Sequence, residues 1–147
     1  MPKLLLRVCD FLLLALAAAV FGACLTSVLT TGEYGWAIPD APYMYEPRDF
    51  YADAVLAGVA GLLVLVLAER VPRVRGSAPL RAVATLAAAL LALYTAPPAP
   101  LVFGNTWARG EATRELFLAQ MHMVLPIAFA VLVLRMGLWH FASRKKP

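Results

Sequence analysis

The sequence predicts an all-α fold, namely an integral membrane four-helix bundle in a single domain, residues 1–147. Three observations predict it. Of 147 residues, 62% are hydrophobic and 15% charged, which is too apolar for a soluble domain of this size. Four apolar stretches have about the length that crosses a bilayer as a helix. Ten of the 13 Lys and Arg residues lie near the two ends and in the middle link, and this bias places both termini in the cytoplasm.

The first predicted helix covers residues 5–29. Its basic start and the apolar run up to Cys24 also resemble a lipoprotein signal with cleavage before that cysteine. We expect an uncleaved transmembrane helix instead, because apolar character continues to Leu29 and Asp10 interrupts the early part. Small residues recur on one face and would let another helix approach closely. They are Ala15, Ala19 and Gly22.

The second and third predicted helices cover residues 50–69 and 79–96, and they carry similar close-packing faces. The small residues concerned are Ala54, Gly58, Gly61, Ala84 and Ala88. Asp49 and Asp53 lie one turn apart at the start of the second helix, where carboxylates favour the positive helix end. We therefore expect them to cap that helix. Ser77 is predicted to be the N-cap of the third.

Two outer loops, residues 30–49 and 97–114, connect the helices on the side opposite the cytoplasmic link 70–78. Pro39, Pro42 and Pro47 disfavour a helix in the first loop. Its aromatic residues favour packing at the membrane surface. Seven of the nine acids lie toward the outer side, so this face could receive a basic soluble protein by electrostatic steering.

The fourth predicted helix, residues 115–141, is the only one with a histidine and a proline inside it. Pro126 removes the amide that would bond the carbonyl of His122, so a kink is predicted there. Glu115 lies two turns earlier on the same face. His122 could bind a metal with Met121 and Met123 or handle protons. We expect a structural hydrogen bond to another helix or subunit instead.

The remaining polar residues form no pattern typical of a catalytic or cofactor-binding site. Asp10 follows Arg7 by three residues, which predicts an ion pair near the membrane boundary. Arg135 is expected to extend to the lipid headgroups without a protein partner. His122 and His140 lie about 27 Å apart on one helix, too far to share a haem iron. With no catalytic motif, we predict no enzyme activity, no resident metal or cofactor, and no nucleic-acid binding.

One family resemblance is carried by residues 110–116 and 124–135. The first run contains the pattern G-x-x-T-x-x-L, and the second contains Leu-Pro-x-x-Phe and ends in Leu-Arg. Together they resemble the end of the small membrane subunit of tripartite ATP-independent periplasmic (TRAP) transporters. The resemblance implies four helices, cytoplasmic termini and a non-transporting role. Such a subunit holds a larger elevator-type subunit that moves organic acids with sodium.

Three functional hypotheses follow. The first is a non-catalytic accessory subunit in a bacterial-type inner membrane, bound to a larger integral membrane subunit and surrounded by lipid bilayer. The second is an accessory subunit of a respiratory or photosynthetic electron-transfer complex. The third is a stand-alone transporter, channel or proton-coupled enzyme that uses Asp10, Asp53 or His122. We favour the first, because the helices carry packing faces and no chemical motif.

Overall fold

A computed structural model describes residues 3–38, 49–97 and 107–144, and every regular element within them is helical. The elements are α1 (Lys3–Thr31), α2 (Phe50–Ala68), α3 (Pro72–Gly76), α4 (Ala78–Tyr94), α5 (Glu111–Thr113), a π-helical turn (Arg114–Leu118) and α6 (Met121–Arg144). The all-α prediction is therefore confirmed. The middle parts of both outer loops, with Pro39, Pro42 and Pro47, lie outside the described residues.

Three of the described helices are long and apolar enough to cross a membrane. They are α1, α2 and α6. The fourth long helix, α4, has 17 residues and is also apolar. Many large apolar side chains on these helices face outward, including Leu12, Leu16, Leu56, Leu63, Phe129 and Leu134. An apolar surface of this kind suits contact with lipid, and the three long apolar helices indicate a membrane protein.

The four long helices pack directly on one another. Helix α1 contacts α2, α4 and α6, while α4 also contacts α2 and α6. The hydrophobic core formed between them is rich in alanine and contains Leu14, Phe21 and Leu93. Small side chains allow backbones to approach closely, which raises the number of van der Waals contacts between helices.

Glycine is required at three of these helix contacts. A Cβ atom added to Gly58 would lie 2.7 Å from the Cβ of Ala15. At Gly61 it would lie 2.9 Å from the carbonyl oxygen of Ala88. At Gly22 it would overlap the carbonyl oxygen of Pro97 at 1.8 Å. A methyl group does not fit at any of these distances, so Gly58 and Gly61 set the spacing between helices, and Gly22 lets the segment after α4 approach α1. Among the other predicted packing residues, Ala19, Ala54 and Ala88 are buried, and Ala15 and Ala84 are half-buried.

The starts of two helices follow the sequence closely. The Asp49 side chain accepts hydrogen bonds from the backbone amides of Tyr51 and Ala52 at the start of α2. Ser77 accepts one from the amide of Leu80 at the start of α4. Asp49 and Ser77 are therefore confirmed as N-caps, whereas Asp53 lies inside the first turn of α2. Each cap satisfies amides that have no carbonyl partner within the first helical turn.

The fourth predicted segment is two pieces rather than one helix from 115 to 141. The amide of Ala119 donates to the carbonyl of Arg114 at 2.7 Å, which is the wider spacing of a π-helix. The amide of Gln120 then bonds the carbonyl of Phe117 at 3.1 Å, and α6 begins at Met121. From there α6 runs through Pro126 to Arg144. Consequently Glu115 does not belong to the helix that carries His122.

Candidate functional site

The most distinctive polar feature is a cluster of charged side chains buried among the helices, centred on Arg135. Its side chain is 1% exposed, and its Nε donates to Oδ1 of Asp10 at 2.9 Å. One terminal nitrogen donates to the hydroxyl of Thr85 at 2.7 Å. The other donates to Oε1 of Glu69 at 2.5 Å. All three guanidinium nitrogens therefore have acceptors, as a buried arginine requires.

Arg7 completes this ion cluster from the side nearer solvent. Its guanidinium contacts the second oxygen of Glu69 at 2.5 Å and Oδ2 of Asp10 at 3.4 Å. The side chain of Arg7 is 31% exposed, whereas that of Asp10 is 0% exposed. The two arginines and two carboxylates have a net charge of zero. Because each carboxylate bridges both arginines, no member carries an unpaired charge.

Each long helix, or the residue at its end, supplies either a charged member of the ion cluster or a hydrogen-bond partner to it. Arg7 and Asp10 lie near the start of α1, and Glu69 is the C-cap residue of α2. Thr85 lies within α4, and Arg135 lies in the second half of α6. The start of α1, the end of α2 and the first half of α4 thus meet at one end of the molecule. At about 1.5 Å per residue, Asp10 and Thr85 lie about 10 Å inside their helix ends.

The cluster corrects the sequence interpretation of Arg135. We predicted that this arginine reaches the headgroups without a partner, but it is buried and bonded to Asp10, Thr85 and Glu69. The physical reason is that two acids from other helices converge on it, and a paired guanidinium avoids the cost of an isolated buried charge. The predicted contact between Arg7 and Asp10 is present at 3.4 Å, as one part of a larger network.

Sequence reasoning missed Glu69 and Thr85, although one signal was available. Asp10 and Glu69 are the two acids that lie on the basic side of the chain, while the other seven lie on the opposite side. Acids that depart from the charge bias are candidates for pairing inside the protein. Thr85 gave no such signal, because threonine is common in membrane helices. In the structure its hydroxyl also donates to the carbonyl of Arg81 at 2.7 Å.

The predicted functional residues on the other side of the molecule do not join this cluster. His122 is exposed, and its Nε2 lies 2.8 Å from the hydroxyl of Tyr34, in the segment that follows α1. Glu115 pairs with its neighbour Arg114 at 3.0 Å. The hydrogen bond to His122 thus comes from a connecting segment, whereas we expected it from a helix or another subunit.

Two further predicted residues lie apart from His122 and from the cluster. Asp53 is half-buried in the first turn of α2 and has an interaction of its own. Pro126 is exposed on α6. Across residues 3–38, 49–97 and 107–144, no group of three or more His, Cys, Asp or Glu side chains could hold a metal ion.

Comparison with protein families, curated proteins and solved structures finds no match for this chain. The buried cluster of Arg7, Asp10, Glu69 and Arg135 is therefore interpreted from its own geometry. It joins the helices by charge-assisted hydrogen bonds, which are stronger than neutral ones and have defined directions. The cluster therefore fixes the positions of the helices relative to one another.

Proposed function

We propose that this protein is a small, non-catalytic accessory subunit that packs against a larger integral membrane protein. Its most concrete version is the small subunit of a TRAP-type transporter of organic acids. In this proposal the protein is a four-helix bundle in a bacterial-type inner membrane, with both termini in the cytoplasm. The larger subunit carries out transport, and this chain supplies a rigid surface for it.

The buried ion cluster is the observation that carries the proposal. Ionisable groups inside membrane segments often mark an ion or proton pathway. Here, however, Asp10 and Glu69 each contact both Arg7 and Arg135. Four mutually neutralised groups hold the helices in one arrangement, and binding a proton or cation at either carboxylate would break that pairing. A rigid helical element is suited to support a moving partner.

The motif behind the family resemblance has structural roles that agree with this proposal. Gly110 has a φ of 81°, a left-handed conformation that favours glycine. The hydroxyl of Thr113 lies 3.2 Å from that of Tyr94 on α4. Leu116 is buried in the core. Gly110 allows the backbone to turn, and Thr113 and Leu116 anchor the segment to the rest of the protein, so the motif serves to position the start of α6.

Co-purification tests the proposal. The chain would be tagged at its C-terminus in its native cell, extracted with a mild detergent and purified, and its companions identified by mass spectrometry alongside a visible spectrum. We expect a larger membrane protein in stoichiometric amount and no visible absorbance. The test variant is Arg135→Gln, whose disrupted cluster should lower the yield of the complex, and the control is Arg114→Gln, which changes an exposed ion pair.

Other outcomes would contradict the proposal in different ways. A lone monomer or homo-oligomer would favour a stand-alone transporter or channel. In that case transport assays on Asp10, Asp53 and His122 variants would follow. A coloured complex with haem or pigment absorbance would favour an electron-transfer assembly, whose soluble partner could dock at the acidic outer face.

A further inference from the structure

A second polar contact lies at the same end of the molecule as the ion cluster but outside it. The guanidinium carbon of Arg81, on α4, lies 4.7 Å from the ring centroid of Trp139, on α6. This is a cation–π contact, in which the positive group is attracted to the electron-rich face of the indole. One terminal nitrogen of Arg81 also donates to the carbonyl oxygen of Arg75 at 2.6 Å.

Both members of this pair have an N–H group without an acceptor. Nε of Arg81 and Nε1 of Trp139 are buried, and neither finds a hydrogen-bond partner among the described residues. Unmade hydrogen bonds of buried donors are costly, more so for a charged group. Both side chains are only half-buried overall, so each lies partly at the surface. The two N–H groups therefore need a hydrogen-bond acceptor that the described residues do not provide.

The charge around the pair favours an anionic acceptor. Arg70, Arg73 and Arg75 are exposed in the link between α2 and α4, and residues 70–81 contain no acid. The nearest acid along the chain, Glu69, is already engaged by Arg7 and Arg135. The positive charge of the link is thus not neutralised by a neighbouring acid in sequence.

The depth of the pair fits a lipid headgroup. Arg81 lies one turn inside the start of α4, and Trp139 lies in the last two turns of α6. Tryptophan and arginine are both favoured at the boundary between hydrocarbon and headgroups. Juxtamembrane arginines are attracted to anionic lipids at that boundary. A lipid phosphate carries several acceptor oxygens and a negative charge at the required depth.

We propose that Arg81 and Trp139, assisted by the basic link, bind the phosphate group of an anionic phospholipid. The phosphate accepts hydrogen bonds from the two unpartnered N–H groups while the exposed arginines contribute electrostatic attraction. This inference depends on the protein lying in a membrane and is independent of the accessory-subunit role. The same chemistry could come from a soluble phosphate, which the experiment distinguishes.

Lipid titration followed by native mass spectrometry tests this site on the purified full chain in neutral detergent. The probes are phosphatidylglycerol, phosphatidylcholine and inorganic phosphate. We expect saturable binding of phosphatidylglycerol, with weaker binding of phosphatidylcholine. Arg81→Gln should weaken phosphatidylglycerol binding by about tenfold or more, as expected for loss of a charge-assisted hydrogen bond. Arg109→Gln is the matched control, because it removes the same charge from an exposed position that precedes α5.

A second variant tests the contribution of the indole N–H separately from that of the aromatic ring. Trp139→Phe keeps an aromatic ring beneath Arg81 but removes the indole N–H, and it should weaken binding severalfold. Circular dichroism melting would show that each variant is folded before binding is compared. Equal effects of Arg81→Gln and Arg109→Gln, or equal binding of the two lipids, would overturn the proposal. Displacement of the lipid by equimolar inorganic phosphate would overturn the lipid assignment and identify a soluble anion.

Discussion

Arg135 shows how one side chain can join the four long helices of this protein. It bonds Asp10 from α1, Glu69 after α2 and Thr85 from α4. Removing one partner of a buried ion pair is costly because the remaining charges stay in a medium of low dielectric constant. This loss of stability arises from the charge left behind at a single residue and not from the shape of a helix.

Arg135→Gln should therefore destabilise the protein strongly. The variant leaves two carboxylates with one arginine, and we expect a loss of about 3–5 kcal/mol of unfolding free energy. The measurement is denaturant unfolding of the purified protein in detergent. The control is Arg114→Gln, because Arg114 forms an exposed pair with Glu115, with side chains 70% and 45% exposed. That change should cost less than about 1 kcal/mol.

The double variant Asp10→Asn with Arg135→Gln distinguishes charge balance from packing. Removing one acid and one arginine restores neutrality, so the double variant should be more stable than the sum of the two single effects predicts. Equal unfolding free energies for Arg135→Gln and Arg114→Gln would show that the ion cluster does not hold the helices together.

At the scale of the elements, helix spacing depends on particular glycines. Gly58 on α2 faces Ala15 on α1, where an added Cβ would meet the alanine backbone nitrogen at 2.9 Å. Gly137 on α6 has no described atom within 4 Å of the same hypothetical Cβ. Both glycines lie within helices, but an added methyl group is blocked at Gly58 and unobstructed at Gly137. They therefore form a matched pair for substitution by alanine.

Gly58→Ala should destabilise the packing of α1 on α2, because the methyl group forces the helices apart or shifts one along the other. We expect a loss of about 1–3 kcal/mol. Gly137→Ala should be neutral or stabilise by up to about 1 kcal/mol, since alanine favours the helix and meets no obstacle. Thermal unfolding in detergent compares the two. A similar melting shift for both variants would refute close packing at Gly58.

At the scale of the whole molecule, the ion cluster implies that the start of α1, the end of α2 and the later part of α6 lie at one end. The sequence hypothesis adds that this end faces the cytoplasm, because most Lys and Arg residues lie there. The opposite end carries the contact between Tyr34 and His122. The two ends of the described bundle therefore differ, with the ion cluster at one end and the pair of Tyr34 and His122 at the other.

Fusion reporters test this orientation. Green fluorescent protein fused after Pro147 should fluoresce in the cytoplasm, and alkaline phosphatase inserted at Gly110 should be active outside it. The matched insertion at Gly76, in the link, should leave alkaline phosphatase inactive. Both glycines are exposed, and an added side chain would meet no described atom within 4 Å. Active alkaline phosphatase at Gly76 together with a non-fluorescent C-terminal fusion would show that the protein has the opposite orientation.

The sequence alone determined the helical character of the protein and where several helices begin. Asp49 and Ser77 were identifiable as N-caps because capping depends on neighbours within one turn. The length of each apolar stretch likewise depends on local composition, so α1, α2 and α6 were recognisable as candidate membrane helices. Small residues such as Gly58 indicated close packing, although not the residue that each one meets.

Only the tertiary structure decided which polar groups pair. Arg135 and Asp10 are 125 positions apart, and Arg135 and Glu69 are 66 apart, so no local pattern joins them. The π-helical turn that separates Glu115 from α6 was also absent from the sequence prediction, because its hydrogen bonds depend on how the segment docks. Local physics thus fixed the helices, whereas the convergence of distant charges in a low-dielectric interior fixed the site.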